Sequence, residues 1–284
     1  MSGICLCCSF TYRYRRAPPF QFSPRVAHWT NVSAGVVHTF QGEYWGNWQF
    51  SIASLDTATA TLSFGRGGWQ EARGAAFGAA LFVEGILEEL DAPGEWLWVP
   101  DVPSSGGGEG TLYLWYNASA GTPPPPGAVL VTQVERLVTL TGNTTAPVVG
   151  VTLSGLTFTA SQPTFIERPF RAPSGGDWSF AETAAIVAEG TASFSIDGCV
   201  FVRLGGNGIL LRGSNADTAI TNSSFSLLGD SGIVSCGLAD LADLSSAQVS
   251  ENRWSFYDVT VLVCVKVTDY PLPTAPAGSD WHAR

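Results

Sequence analysis

The stretch FSIDGCVFVRLGGNGILL at residues 194–211 is followed, 24 positions later, by TAITNSSFSLLGDSGIVS at residues 218–235. Both segments contain an apolar residue, then a phenylalanine, then Leu-Gly-x-x-Gly-Ile, so that Phe201 aligns with Phe225. An internal repeat of this length is typical of solenoid proteins, in which equivalent residues of successive units lie over one another. We therefore expect Phe201 and Phe225 to stack.

Two other stretches extend the repeat. GVTLSGLTF fits its first half and places Phe158 on Phe201, whereas AQVSENRW fits it loosely, with Trp254 on Phe225. The unit is rich in β-branched residues, is interrupted by Gly, Asn and Ser, and lacks the 3.6-residue period of a helix. The repeat predicts an all-β chain whose main domain is a right-handed parallel β-helix, a solenoid of short strands.

Composition and turn signals divide the chain into four predicted parts. They are a disordered Pro-rich tail at 1–26, an N-terminal β-rich capping subdomain with a short helix and a hairpin at 27–125, the right-handed parallel β-helix at 126–267, and a frayed C-terminal tail at 268–284.

The sequence predicts two specific elements in the capping subdomain. The i, i+3, i+4 pattern of FVEGILEEL predicts a short helix over 82–90, with Glu88, Glu89 and Asp91 interpreted as its solvated end. EWLWVPD and GTLYLWYN predict an aromatic hairpin. Because an open solenoid end exposes core and strand edge, we expect some of the hairpin tryptophans Trp96, Trp98 and Trp115 to cover it.

Composition limits the possible functions. The chain has 284 residues, of which 45% are hydrophobic and 13% charged, so it can bury a large core. Its formal net charge is −10 and its one lysine is Lys266, which excludes nucleic acid as an expected partner. Cys5, Cys7 and Cys8 lack a second pair at zinc-ligand spacing, and nothing predicts a metal or another cofactor.

Glycosylation sequons indicate an extracellular, secreted glycoprotein. Four Asn-x-Ser/Thr sequons are present, at Asn31, Asn117, Asn143 and Asn222. The first residues, MSGICLCCSFTYRYRR, lack a clean apolar region and cleavage site, so we expect the true start of an exported protein to lie upstream. No apolar run of about 18 residues predicts a membrane span.

Gly-Asp-Ser-Gly at residues 229–232 raises the alternative of a serine protease. A nucleophilic serine needs a nearby base, and a chain with only three histidines offers few candidates; Ile233 also stands where that family places another glycine. The repeat explains the string better. It occupies the turn that Gly-Gly-Asn-Gly occupies one unit earlier.

Several strings together carry a family resemblance. They are EYWGNWQF, FGRGGWQEARG, FVEGILEELDAPGEW, GTLYLWYN, SGLTFTASQPTF, PSGGDWS, LGGNGILLRG and LGDSGIVSCG. The chain resembles right-handed parallel β-helix, pectate-lyase-like proteins related to a β-helical glycoside hydrolase family. The resemblance covers roughly residues 27–237 and fades after Gly237, as expected of a truncated member. Relatives tend to carry His-Arg-Gly-Gly where this chain has Phe-Ala-Glu-Thr at 180–183.

The resemblance implies an enzyme that acts on polysaccharide, and glycosidases usually use two carboxyl groups. The repeat points Asp197 outward and puts Asp230 at a turn, so these are the predicted catalytic residues. The predicted substrate-binding residues are Arg203, Asn207, Asp177 and Trp45.

Each assignment has an alternative that the residues leave open. Asp230 could cap its turn through backbone hydrogen bonds, and Asp197 could be a solvated surface residue. Arg203 could form a structural ion pair, and Trp45 could pack one subdomain against the other. No dense Asp cluster predicts a calcium site.

Two functions are compatible with these features of the sequence. The first is a glycoside hydrolase-like enzyme that acts on extracellular polysaccharide through paired carboxylates. The second is a non-catalytic β-helix that binds glycan or displays an interaction surface. Both predict a monomer with a polysaccharide or glycan partner, no nucleic acid and no membrane span.

Overall fold

A computed structural model of the chain describes residues 4–5, 12–14, 24–41, 47–70, 77–100, 110–116, 122–166, 170–171, 180–236, 254–257 and 260–261. These ranges are all-β, with both antiparallel and parallel sheets and two short 3₁₀ turns. Asp177 and Trp45, predicted to bind substrate, lie outside them.

The first part of the chain forms an antiparallel sheet in the order β2-β6-β3-β4-β5. Its core contains Trp29, Val37, Ile52 and Val83, among other apolar side chains. Two short strands lie within residues 1–26, where the sequence predicts a tail. The strands of this part are β1 (Ile4–Cys5), β2 (Tyr12–Tyr14), β3 (Val36–Gln41), β4 (Asn47–Asp56), β5 (Thr61–Gly67), β6 (Phe77–Glu84), β7 (Trp96–Pro100) and β8 (Gly110–Leu114).

The segment predicted as a helix over 82–90 is mostly not helical. Strand β6 continues to Glu84, because its residues pair with β3 and this pairing overrides the local helical pattern. Only Leu87–Glu89 forms a 3₁₀ turn. Glu89 is buried rather than solvated: it accepts a 2.8 Å hydrogen bond from Trp29 Nε1 and lies 2.8 Å from Arg25.

The two aromatic strands β7 and β8 pair antiparallel, with Trp98 opposite Leu112. Trp98 is 42% exposed and Trp115 is 46% exposed. Each of these residues thus buries more than half of its surface, and the covering role of the hairpin tryptophans stays a prediction.

The second part of the chain runs repeatedly through three parallel sheets. We call each run through the three sheets a pass. The first sheet has the order β10-β16-β19-β22, the second β12-β17-β20-β23 and the third β13-β18-β21-β24. The strands are β9 (Val129–Leu130), β10 (Val138–Thr141), β11 (Val148–Val149), β12 (Thr152–Ser154), β13 (Thr157–Thr159), β14 (Phe170–Arg171), β15 (Phe180–Ala181), β16 (Ala184–Ala192), β17 (Ser195–Asp197), β18 (Val200–Leu204), β19 (Asn207–Ala216), β20 (Thr218–Thr221), β21 (Ser224–Leu228), β22 (Ile233–Cys236), β23 (Trp254–Tyr257) and β24 (Thr260–Val261).

The alignment of Phe158, Phe201 and Phe225 is confirmed. The three residues are register partners in the third sheet, and their rings stack with centroids 4.8 and 4.5 Å apart. The loose alignment of Trp254 with Phe225 is wrong. Trp254 pairs with Thr218, because a longer segment separates β22 from β23 than separates earlier strands of the same two sheets.

The turns between sheets repeat one backbone conformation. Residues at equivalent turn positions of successive passes form a column. In each column φ lies between 48° and 73°, and the N–H of one residue donates to a carbonyl of the next pass. Such left-handed positions favour Gly, Asn and Asp, which explains much of the turn composition. The columns are Gly150, Ser193 and Asp217; Gly155, Gly198 and Asn222; and Ala160, Arg203 and Leu227.

The antiparallel sheet contacts the second part of the chain near residues 161–166. Trp69 Nε1 donates to the carbonyl of Ile166 at 3.0 Å, and Gln70 Nε2 donates to the carbonyl of Phe165. The ring of His38 lies 5.8 Å from that of Phe165. These contacts fix the segment that precedes the candidate site.

Candidate functional site

The candidate site lies at the turn from the third sheet into the first. We call it the Asp230 corner, and it comprises residues 180–183, 205–207 and 229–232. Its glycines permit close approach of successive passes: a Cβ at Gly205 would overlap the backbone of Gln162 and Pro163, and one at Gly229 would overlap the Gly205 carbonyl. The repeated Leu-Gly-x-x-Gly string therefore encodes backbone contact at this turn.

Asp230 is half-buried at the corner that carries its name. Its Oδ2 accepts a 3.3 Å hydrogen bond from the Ala181 N–H, and its Oδ1 lies 3.3 Å from the Ser231 hydroxyl that donates to it. Burial raises the pKa of the Asp230 carboxyl. The hydrogen bonds from Ala181 and Ser231 act to lower this pKa, but the effect of burial is larger. A carboxyl of this kind retains its proton to higher pH than an ordinary aspartate, which suits a general acid.

Asn207 is fully buried, and the amide makes three hydrogen bonds within the protein. Its Nδ2 donates to the carbonyls of Ala181 and Thr183, each at 2.9 Å, and its Oδ1 accepts from the Ser231 N–H at 2.9 Å. The side chain thus links three successive passes. With no exposed surface and its hydrogen-bonding capacity used inside, Asn207 is not placed to contact a sugar; it positions the corner instead.

Ser231, in the Gly-Asp-Ser-Gly string, has Asp230 and Asn207 as its described side-chain partners. Neither is an imidazole, so the contacts within the described ranges do not form a nucleophile-base pair.

Asp197 lies at a different turn, between the second and third sheets. Its Oδ1 accepts hydrogen bonds from Thr221 Oγ1 at 2.7 Å and Asn222 Nδ2 at 2.8 Å. These bonds, that from Thr221 first, lower the pKa of Asp197. The structure does not bring Asp197 and Asp230 to one turn, and their described hydrogen-bond partners are separate.

Arg203 is half-buried in β18 and occupies a left-handed backbone position with φ of 53°. It precedes Gly206, the counterpart of Asp230 in the previous pass, by three positions. The residue therefore lies on the strand that leads into the Asp230 corner.

The sequence patterns do not bring together a group of charges formed by Glu182 of the Asp230 corner and by Glu189 and Arg212 of the first sheet. Arg212 NH1 is 3.8 Å from Glu182 Oε2, and Arg212 Nε is 3.8 Å from Glu189 Oε2. The Glu182 side chain is 12% exposed, that of Glu189 30% and that of Arg212 35%. One guanidinium therefore lies between two carboxylates, and Glu182 directly follows the Ala181 that Asp230 binds.

The spacing of the repeat hides this group. Glu189 pairs with Arg212, which is 23 positions later, whereas Thr191 pairs with Asn215, which is 24 positions later, because the register shifts between Glu189 and Thr191. A uniform 24-residue alignment places Glu189 on Gly213. The sequence offers one signal of the pairing between Glu189 and Arg212, because Ile186 matches Ile209 at the same spacing of 23 positions.

Neither a metal centre nor a membrane-spanning helix is found in the part of the chain that the structure describes. These ranges contain no group of three His, Cys, Asp or Glu residues arranged to hold a metal ion. None of the helical segments within them has the length and hydropathy needed to cross a bilayer.

The chain shares its fold with a glycoside hydrolase of known structure. The TM-score is 0.55 and the sequences are 14% identical, over 82% of this chain and 47% of the glycoside hydrolase. The chain thus spans about half the length of that enzyme. No protein-family model and no curated protein sequence matches the chain.

Proposed function

We propose that the three parallel sheets wind as a right-handed parallel β-helix and that the protein is a glycoside hydrolase-like enzyme acting on polysaccharide. The observation that carries this proposal is the Asp230 corner, where a half-buried carboxyl of raised pKa accepts a hydrogen bond from the N–H of Ala181, the residue before Glu182. Similarity of fold to a glycoside hydrolase supports it.

In this mechanism Asp230 is the general acid that protonates the leaving glycosidic oxygen. Glu182 is the second carboxyl, acting as base or nucleophile, and Arg212 provides a cation next to it. Glycosidase carboxyls are separated by roughly 5 to 9.5 Å, so the proposal requires the carboxyls of Asp230 and Glu182 to lie within this range. Asp197 is the weaker candidate for the second carboxyl, because it lies at another turn.

The candidates for substrate contact in this proposal are Arg203, Asp177 and Trp45. Asn207 is no longer one of them, because its role is to position the Asp230 corner. The sequons and the fold similarity support an extracellular location and a glycan partner. We propose that the protein is a monomer.

The test is release of reducing ends from a panel of neutral and acidic polysaccharides by purified protein. We expect Asp230→Asn and Glu182→Gln to lower the rate by about 100-fold or more, as loss of an acid or base does. Asp217→Asn is the matched control, because Asp217 is exposed at a left-handed turn position that Asn tolerates. Undiminished activity in Asp230→Asn would rule out the assigned acid.

The second candidate is a non-catalytic glycan-binding protein, and the exposed aromatic hairpin favours it. Trp98, Tyr113 and Trp115 are 42%, 38% and 46% exposed, and aromatic faces stack on sugar rings. This function predicts that glycan-containing gels retard the protein and that the glycan is not depolymerised. Trp98→Ala should weaken this retention, whereas Asp230→Asn should not. Depolymerisation by wild-type protein would favour the enzyme.

A further inference from the structure

The sequon at Asn143 has a side-chain geometry suited to modification. The Asn143 Oδ1 accepts hydrogen bonds from Thr145 N at 2.9 Å, Thr145 Oγ1 at 2.8 Å and Ala146 N at 2.8 Å. All three bonds hold the oxygen side of the amide. Among the described residues none accepts a hydrogen bond from Asn143 Nδ2, and residues 143–147 are exposed. The nitrogen is therefore presented to solvent on a turn that the amide oxygen orders.

The other described sequons differ from this one. At Asn222 the Nδ2 donates to Asp197 at 2.8 Å, so the nitrogen is already engaged within the turn. At Asn31 the Oδ1 accepts one hydrogen bond, from Ser33 N at 2.9 Å, and no bond from the Ser33 hydroxyl is formed within the described ranges. Asn117 lies outside the described residues.

We propose that Asn143 carries an N-linked glycan. The co-reactant is a lipid-linked oligosaccharide diphosphate: Asn143 Nδ2 attacks the anomeric carbon, the bond from that carbon to the diphosphate oxygen breaks, and the lipid diphosphate leaves. The nitrogen loses one proton to a base of the transferring enzyme. The Thr145 hydroxyl, which donates to Asn143 Oδ1, polarises the amide.

The position of Asn143 gives such a glycan a role. The turn follows β10, which among the described strands is the end strand of the first sheet and pairs there with β16. Beyond the turn, Val149 is 65% exposed, and Leu137 before β10 is 36% exposed. Open strand edges with apolar side chains recruit other chains, and a bulky hydrated glycan opposes such pairing. The glycan shields this edge from association with a second copy.

The test uses the full chain secreted from a eukaryotic host behind a cleavable signal. After glycan release in ¹⁸O water, peptide mass spectrometry reports occupancy at each sequon. We expect Asn143 to be occupied in most molecules, Asn143→Gln and Thr145→Ala to abolish this glycan, and Thr145→Ser to retain it. Secreted protein with Asn143 unmodified would overturn the assignment, whether or not other sequons are occupied.

Shielding is tested separately by sedimentation of the secreted variants. Asn143→Gln should form larger species at concentrations where wild type and the control Asn31→Gln, which removes a sequon elsewhere, stay monomeric. If Asn143→Gln sediments as the control does, the shielding role is overturned while occupancy at Asn143 is judged on the mass spectra alone.

Discussion

The ring of Phe201 lies on the ring of Phe225, with centroids 4.5 Å apart and planes inclined by 7°. Both side chains are fully buried and occupy the same register position in adjacent strands of the third sheet. This contact fixes the 24-residue repeat along that sheet. It also sets the level at which the following turn, with Asp230, meets the previous pass.

Replacement of Phe201 should be strongly destabilising, because its ring packs between those of Phe158 and Phe225. We expect Phe201→Ala to lower the free energy of unfolding by about 3–5 kcal/mol, as measured by urea denaturation. Val200→Ala is the control, since Val200 is 39% exposed in the same strand. A loss in Phe201→Ala no larger than in Val200→Ala would contradict the stacked core.

Loss of the Asn207 amide should loosen the Asp230 corner. Asn207→Leu leaves two carbonyls and the Ser231 N–H without their partners, and each unpaired buried group costs about 1–3 kcal/mol. We expect a lower free energy of unfolding and faster hydrogen exchange at the Ser231 amide. Asn31→Leu, on an exposed turn, should change neither; unchanged Ser231 exchange in Asn207→Leu would refute the positioning role.

The raised pKa of Asp230 predicts a specific dependence of stability on pH. The folded protein binds this proton more tightly than the unfolded chain, so the contribution is fully present below the unfolded pKa of about 4 and is lost as pH rises through the folded pKa. The free energy of unfolding of wild type minus that of Asp230→Asn should therefore fall as pH rises above about 4. A difference that stays flat or grows over this range is inconsistent with a half-buried carboxyl that retains its proton.

Asp197 should show the opposite dependence. Hydrogen bonds from Thr221 and Asn222 lower its pKa, so its contribution is present above the unfolded pKa of about 4 and is lost as pH falls through the folded value. The difference between wild type and Asp197→Asn should shrink on acidification, and Thr221→Val should weaken the dependence. A difference that grows on acidification would contradict the lowered pKa.

The sequence predicts the stacking columns well because side-chain identity repeats there. Ile196 falls on Ile220 and Phe201 on Phe225, and the structure pairs both. The Leu-Gly-x-x-Gly string likewise predicts a tight turn, since close backbone approach at Gly229 excludes a side chain.

The rest of the site depends on contacts that one repeat does not encode. Asp230 binds the Ala181 N–H, and the position of Ala181 depends on where the chain returns after the segment that follows Ile166. The register shift after Glu189 conceals its pairing with Arg212 from a uniform alignment. Glu182 also lies in a stretch where the chain departs from the family pattern, so the resemblance gives no indication of its role.

The role of Asp230 as a general acid is tested most directly by a pH titration of its carboxyl by ¹³C NMR, with Asp230→Asn spectra identifying its signal. We predict a midpoint above that of an ordinary aspartate, with the Asp197 signal in the same sample titrating below it. An Asp230 midpoint at or below the ordinary aspartate value would contradict a general acid at this corner.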